Sequence, residues 1–134
     1  MSQRPLSPHL GVYKFTYTMT LSFLHRMTGV ANSVGFLAFA WWLMALASGP
    51  DAYAAAMRCL SSPLAKLLLV GFTFSFVYHF CNGIRHLVWD TGIGLERVHA
   101  RRSGAVVIAL ALALTVVLVW LGCAALEAPP ASAP

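Results

Sequence analysis

SGAVVIALALALTVVLVWLGCAAL, residues 103–126, is a run of 24 residues without a single charge. A helix needs about 20 apolar residues to cross the hydrocarbon of a bilayer, so this run predicts a membrane-spanning helix. Upstream, residues 27–50 (MTGVANSVGFLAFAWWLMALASGP) form a second uncharged run of 24. Between them, Leu67 to Ile84 gives 18 residues free of formal charge, with His79 inside. The helix around that middle run is predicted to start after Ser61-Ser62-Pro63, where serine can cap and proline suits the first turn. It should run to Trp89-Asp90 before Thr91-Gly92-Ile93-Gly94 breaks it. The expected architecture is all-α, an integral membrane protein with three transmembrane helices at about 22–49, 63–90 and 103–126. Residues 1–134 form a single membrane-anchor domain, with a polar segment at 1–20 and a short Pro-rich tail at 127–134.

Composition agrees. Of the 134 residues 59% are apolar and 10% charged, and the mean hydropathy is +0.74. A soluble domain averages about 45–50% apolar and about 25% charged. An ordinary cytosolic globule, a disordered tail and a nucleic-acid module are excluded. The net charge of +5 therefore reads as orientation. With three spans, Arg4, Lys14, Arg26, Arg85, Arg97, Arg101 and Arg102 share one side, and only Arg58 and Lys66 lie on the other. The positive-inside rule puts the N-terminus inside and the C-terminus outside. Cys59, Cys81 and Cys123 have no close-spaced pair, and read as small apolar fillers. Residues 1–20 lack the layout of a cleavable signal peptide and of an Arg- and Ser-rich transit peptide. This points to a bacterial cytoplasmic membrane, with an organelle-encoded chain of the mitochondrial inner membrane as the alternative.

Ionisable groups inside a span are costly and hence candidates for function. The middle block holds the densest set, and His79, Gly83, His86 and Asp90 fall on one helical stripe. Gly83 opens a notch there, fit for a second helix or a flat cofactor. His79 and His86 stand about 10 Å apart along the axis and cannot share an ion. If His79 ligates haem, the second axial ligand must come from another helix. At about 16 Å from the inner end of its helix, His79 lies in the inner half of the bilayer. Arg85 and His86 then sit near the inner surface, where a haem propionate would be. A histidine in a span can equally hydrogen-bond a neighbouring helix; zinc is disfavoured because no ligand set has zinc spacing. On the first span Ser22, His25 and Arg26 face one region at the same inner end, a patch suited to a carboxylate or a quinone carbonyl. Snorkelling to headgroups is the plainer reading of such residues. The third span carries nothing reactive, and packing is its expected role.

These motifs carry a resemblance. Arg4-Pro5-Leu6-Ser7-Pro8-His9, then Ser22-x-x-His25-Arg26-x-Thr28-Gly29, then His79-x-x-x-Gly83-x-Arg85-His86-Leu87-x-x-Asp90 resemble, in order, the pattern of the cytochrome b556 family of succinate dehydrogenase membrane anchors. The resemblance covers roughly Arg4 to Glu96; beyond it the last span and tail are similar only in hydrophobicity. It implies an anchor for a flavoprotein subunit and an iron–sulfur subunit of respiratory complex II. With a second small anchor subunit such a chain binds haem b and ubiquinone, and no nucleic acid. By position, His79 matches the axial haem histidine, the other belonging to the partner anchor. Ser22 and Arg26 match the quinone pocket, and His25, Arg26 and His86 match the propionate surroundings. Asp90 matches the acidic end of the motif, with a quinone or proton-path role. Succinate oxidation would lie on other subunits, so this chain alone would not be catalytic. An anchor of a menaquinone-linked fumarate reductase and a cofactor-free structural anchor are the rival readings. A transporter is disfavoured because the polar residues gather at one face.

Overall fold

In a computed structural model, residues 16–127 are described and form four helices: α1 (Tyr17–Ala47), α2 (Pro50–Leu60), α3 (Pro63–Asp90) and α4 (Arg97–Glu127). The expected segments before residue 16 and after residue 127, including the Arg4–His9 motif and the tail, lie outside the described residues. Three of the helices, α1, α3 and α4, are long and apolar enough to cross a membrane. Leu37 is 73% exposed and Val116 68%; side chains that large and apolar face lipid, since the helices leave them uncovered.

Local chemistry explains the ends. Ser62 caps α3, its side chain accepting from the Ala65 backbone N–H at 3.3 Å, with Pro63 in the first turn. At the other end Gly92 adopts φ +83°, a left-handed conformation that favours glycine and stops the helix. Helix α1 begins at Tyr17, ahead of the uncharged run, because the Thr16 carbonyl already accepts from the N–H of Met19 and Thr20. Helix α4 begins at Arg97, so Arg97, Arg101 and Arg102 ride on its first turns instead of in a loop. With 31 residues each, α1 and α4 extend about 46 Å, beyond a hydrocarbon core of about 30 Å. Their polar ends reach the headgroups.

Helix α2 has no counterpart among the expected elements. Eleven residues are too few to span, so a search for apolar runs passes over it, but Ala52 and Ala54–Ala56 favour helix strongly. Asp51 in its first turn and Arg58 in its last both complement the helix dipole. It folds back on α1, with Ala56 2% exposed and Tyr53 edge-on to Trp42.

Helix α3 is the centre of the bundle and packs against both α1 and α4. The core is Leu21, Val77, Tyr78, Val107 and Ala111. On α4 the buried positions Ala100, Gly104, Val107, Ala111 and Thr115 follow a helical stripe of small residues, the usual way for spanning helices to approach closely. A Cβ on Gly104 would run into Leu21 and Tyr17 of α1, and one on Gly35 into the Phe72 ring of α3.

Polar side chains join α3 to α4 near the loop between them. Arg85, buried at 6% exposure, donates from Nη2 to the Ala100 carbonyl (2.8 Å), from Nε to Ser103 Oγ (2.9 Å) and from Nη1 to Asn82 Oδ1 (3.1 Å). Its guanidinium also lies 3.9 Å over the Trp89 ring, a cation–π contact. Replacing Arg85 by Met would leave Asn82 and Ser103 without this partner. R85M should lower stability by about 1–2 kcal/mol, against about 0.6 kcal/mol for Y78F, which loses one interhelical hydrogen bond. Thermal unfolding of the detergent-solubilised protein checks the ranking.

Candidate functional site

Three consecutive donors on α3 reach the backbone of α1. Tyr78 Oη donates to the Leu21 carbonyl (3.0 Å), Ser75 Oγ to the Thr28 carbonyl (3.1 Å), and the His79 ring lies with Nδ1 3.0 Å from the His25 carbonyl. Carbonyls 21, 25 and 28 are spaced four and three residues apart and share a face. Each carbonyl oxygen has two lone pairs, and the helix uses one.

The His79 contact fixes its tautomer. A carbonyl oxygen only accepts, so Nδ1 must carry the proton to approach within 3.0 Å. Thr28 Oγ1 agrees: it stands 3.3 Å from the same nitrogen and within 2.9 Å of the Leu24 carbonyl and 2.8 Å of the His25 carbonyl. Its own proton goes to a carbonyl, and its lone pairs face Nδ1–H. In the neutral ring that leaves the lone pair on the other nitrogen, Nε2, the form in which an imidazole binds iron. The ring is confined on two sides. His25 stacks on it with centroids 3.9 Å apart and planes 12° apart, and a Cβ on Gly29 would come within 3.1 Å of its Cε1. The close approach falls on Gly29 of α1; nothing in the described residues stands within 4 Å of a Cβ on Gly83, and that notch remains open.

His86 joins the group, its ring 5.2 Å from that of His25 and 5.2 Å, edge-on, from Trp89. His25 Nδ1 is buried with no hydrogen-bond partner among the described residues. Ser22 is half-buried on the same helix, and Arg26 is exposed with no ion-pair partner among the described residues. Asp90, the last residue of α3, is exposed. Arg85 makes its bonds on another side of α3. Grouped with His86 as propionate surroundings, it turns to α4, where its bonds to Ala100, Ser103 and Asn82 make it a helix-joining residue. Adjacent positions on a helix point about 100° apart, so Arg85 and His86 serve different neighbours.

Beside His79 a groove of about 240 Å³ opens between α1 and α3, lined by Gly29, Asn32, Ser33, Phe36, Phe76, His79 and Phe80. Asn32 Oδ1 is buried there with no hydrogen-bond partner among the described residues. An imidazole with a free Nε2, apolar aromatic walls and a glycine floor fit one face of a haem. The described residues contain no cluster of three or more His, Cys, Asp or Glu side chains that could hold a metal ion. Sequence reading passed over Thr28, Ser75, Tyr78 and Asn32 as site residues. The buried Asn32 was visible as an amide in an apolar run; the carbonyl acceptors leave no trace in side-chain chemistry.

The model of the succinate dehydrogenase/fumarate reductase transmembrane subunit family matches residues 1–118. The chain is 40% identical over 117 residues to the succinate dehydrogenase cytochrome b556 subunit of Rickettsia felis, covering 87% of this chain and 91% of that one. It is 39% identical over 113 residues to the cytochrome b556 subunit of Paracoccus denitrificans, covering 84% and 87%. It is 38% identical over 111 residues to the mitochondrial cytochrome b560 subunit of Homo sapiens, covering 81% and 66%.

The fit at Gly29 is testable in isolation. Gly29→Ala needs the His79 ring to give way by a few tenths of an ångström. Gly29→Val adds two methyl groups beyond a Cβ that already stands 3.1 Å from the His79 ring and should push Nδ1 off the His25 carbonyl. An experimental structure of each variant should show the 3.0 Å contact kept in the first and broken in the second.

Proposed function

This chain belongs to the succinate dehydrogenase/fumarate reductase transmembrane subunit family as a cytochrome b membrane anchor of complex II, and from that premise we propose how its residues serve haem b and ubiquinone. The observation that carries the proposal is the His79 Nδ1–H bond to the His25 carbonyl, which leaves Nε2 as an iron ligand. When bound, the haem supplies a reversible one-electron centre. His79 would hold the iron from this chain, together with a histidine of a second small anchor subunit. Phe36, Phe76 and Phe80 exclude water from the groove. His25 and His86, close together beside His79, serve the propionates. Arg26 completes that edge, and Arg85 ties α3 to α4.

Ubiquinone is held at the inner end of α1. Ser22 and Arg26 stand one helical turn apart, so hydroxyl and guanidinium can converge on one quinone carbonyl oxygen. Charge that develops on that oxygen during reduction is stabilised by the Arg26 guanidinium more strongly than it would be in water, because the surroundings have a low dielectric constant. Asp90, exposed at the end of α3, is placed for a proton-supply role at the same membrane face. The iron–sulfur and flavoprotein subunits carry the succinate site and dock on the inner face, where Arg97, Arg101 and Arg102 sit at the start of α4. This orients the N-terminus inside and the C-terminus outside, in a bacterial cytoplasmic membrane. The relatives are named as succinate dehydrogenase subunits, which favours succinate oxidation over a menaquinone-linked fumarate reductase.

In the purified complex, Arg26→Leu should lower succinate–quinone reductase activity about 10²-fold and Ser22→Ala about tenfold. Succinate oxidation by a soluble dye should remain near wild type in both. Equal loss of the two activities would assign these residues to assembly. Replacing His79 by Leu should abolish the low-spin b-type spectrum; an unchanged spectrum would remove His79 as the ligand.

A further inference from the structure

Thr28 and Gly29 close the first-span motif, yet neither the haem ligand set nor the quinone pair uses them. Gly29 makes room for the His79 ring. Thr28 does something more specific. Its side chain is in a buried residue, 6% exposed, and Oγ1 lies 2.8 Å from the His25 carbonyl, 2.9 Å from the Leu24 carbonyl and 3.3 Å from His79 Nδ1. We propose that Thr28 is a positioning residue that sets the strength of the His79 Nδ1–H bond and thereby the reduction potential of the haem.

The inference rests on His79 being the axial ligand, and on competition for one oxygen. The His25 carbonyl has two lone pairs. One accepts the helix's own N–H from the next turn. The Thr28 hydroxyl, which divides its one proton between this carbonyl at 2.8 Å and that of Leu24 at 2.9 Å, and His79 Nδ1–H, at 3.0 Å, compete for what remains. The hydroxyl thus weakens the carbonyl as an acceptor for the histidine. In exchange it offers its own oxygen at 3.3 Å, a longer and weaker contact. The net effect is a restrained Nδ1–H bond. Removing the hydroxyl frees the carbonyl for His79 alone and strengthens that bond. A ligating histidine whose other N–H is strongly accepted is a more basic ligand. A more basic imidazole favours ferric over ferrous iron, so the potential falls. Thr28 acts through His79 and need not touch the haem.

The test uses the complete purified complex with Thr28→Val, Thr28→Ala, Thr28→Ser and His79→Leu, reading haem content, the low-spin absorbance spectrum and the midpoint potential by redox titration. Thr28→Val keeps shape and loses the hydroxyl; Thr28→Ser keeps the hydroxyl. The expected result is a low-spin spectrum in all three Thr28 variants, a midpoint shifted negative in Val and Ala, and a wild-type midpoint in Ser. Haem lost from Val and Ala but held at wild-type potential in Ser would equally assign the hydroxyl to His79 placement. A wild-type or positively shifted midpoint in both Val and Ala would overturn the proposal, as would Ser shifting as far as Val. His79→Leu separates the two readings. If it keeps the low-spin spectrum, the ligand assignment fails; if it loses the spectrum while Val and Ala match wild type, only the role of Thr28 fails.

Discussion

Everything in this bundle depends on a constraint of the hydrocarbon: a helix must satisfy its backbone internally and can bind a neighbour only with what is left over. What is left over here is the second lone pair of the α1 carbonyls at Leu21, His25 and Thr28. Side chains of Tyr78, His79 and Ser75 take all three. Between lipid-bathed helices there is little hydrophobic drive to associate, so such bonds and close packing decide the register. One of the three donors is the imidazole that the proposed chemistry requires. Fold and site are therefore held by the same set of bonds: a slip of α3 along α1 by one residue would disconnect the packing and the ligand together.

Arg85 and Thr28 illustrate how a polar group near a site acquires different work. Arg85 stands next to His86 in sequence but bonds across to Ala100 and Ser103 of α4, and Trp89 covers its guanidinium. Thr28 stands on another helix from His79 and still reaches its Nδ1. Proximity along the chain is a poor guide at a helix interface, because 100° of rotation per residue separates neighbours. Proximity across helices is set by the register just described.

The spans were legible because charge is nearly absent over 18 to 24 residues at a time, and nothing but a bilayer tolerates that. His79, His25 and His86 were legible for the converse reason, as costly groups in an apolar stretch. Helix α2 was not, since an 11-residue alanine-rich segment gives neither a span nor a breaker pattern. That Arg85 bonds to α4 could not be read in advance, because helical depth says how far along the axis a residue lies and nothing about which neighbour it meets. The tautomer of His79 could not be read at all: its determinant is a backbone oxygen, common to every residue type.

The central place of α3 also bears on how the chain enters the membrane during synthesis. Helices emerge in order, so α1 is present when α3 arrives, and the donors of Ser75 and Tyr78 meet their acceptors at once. The acceptors lose nothing by waiting, since each carbonyl already holds its own helical hydrogen bond. Arg85 has no such luck: its partners Ala100 and Ser103 belong to α4 and are still untranslated. Only five residues from the end of α3, its long side chain can reach the aqueous surface until α4 comes alongside. Placing Arg85, the one buried guanidinium among the described residues, near a helix end thus lets biogenesis proceed one helix at a time without stranding that charge in lipid.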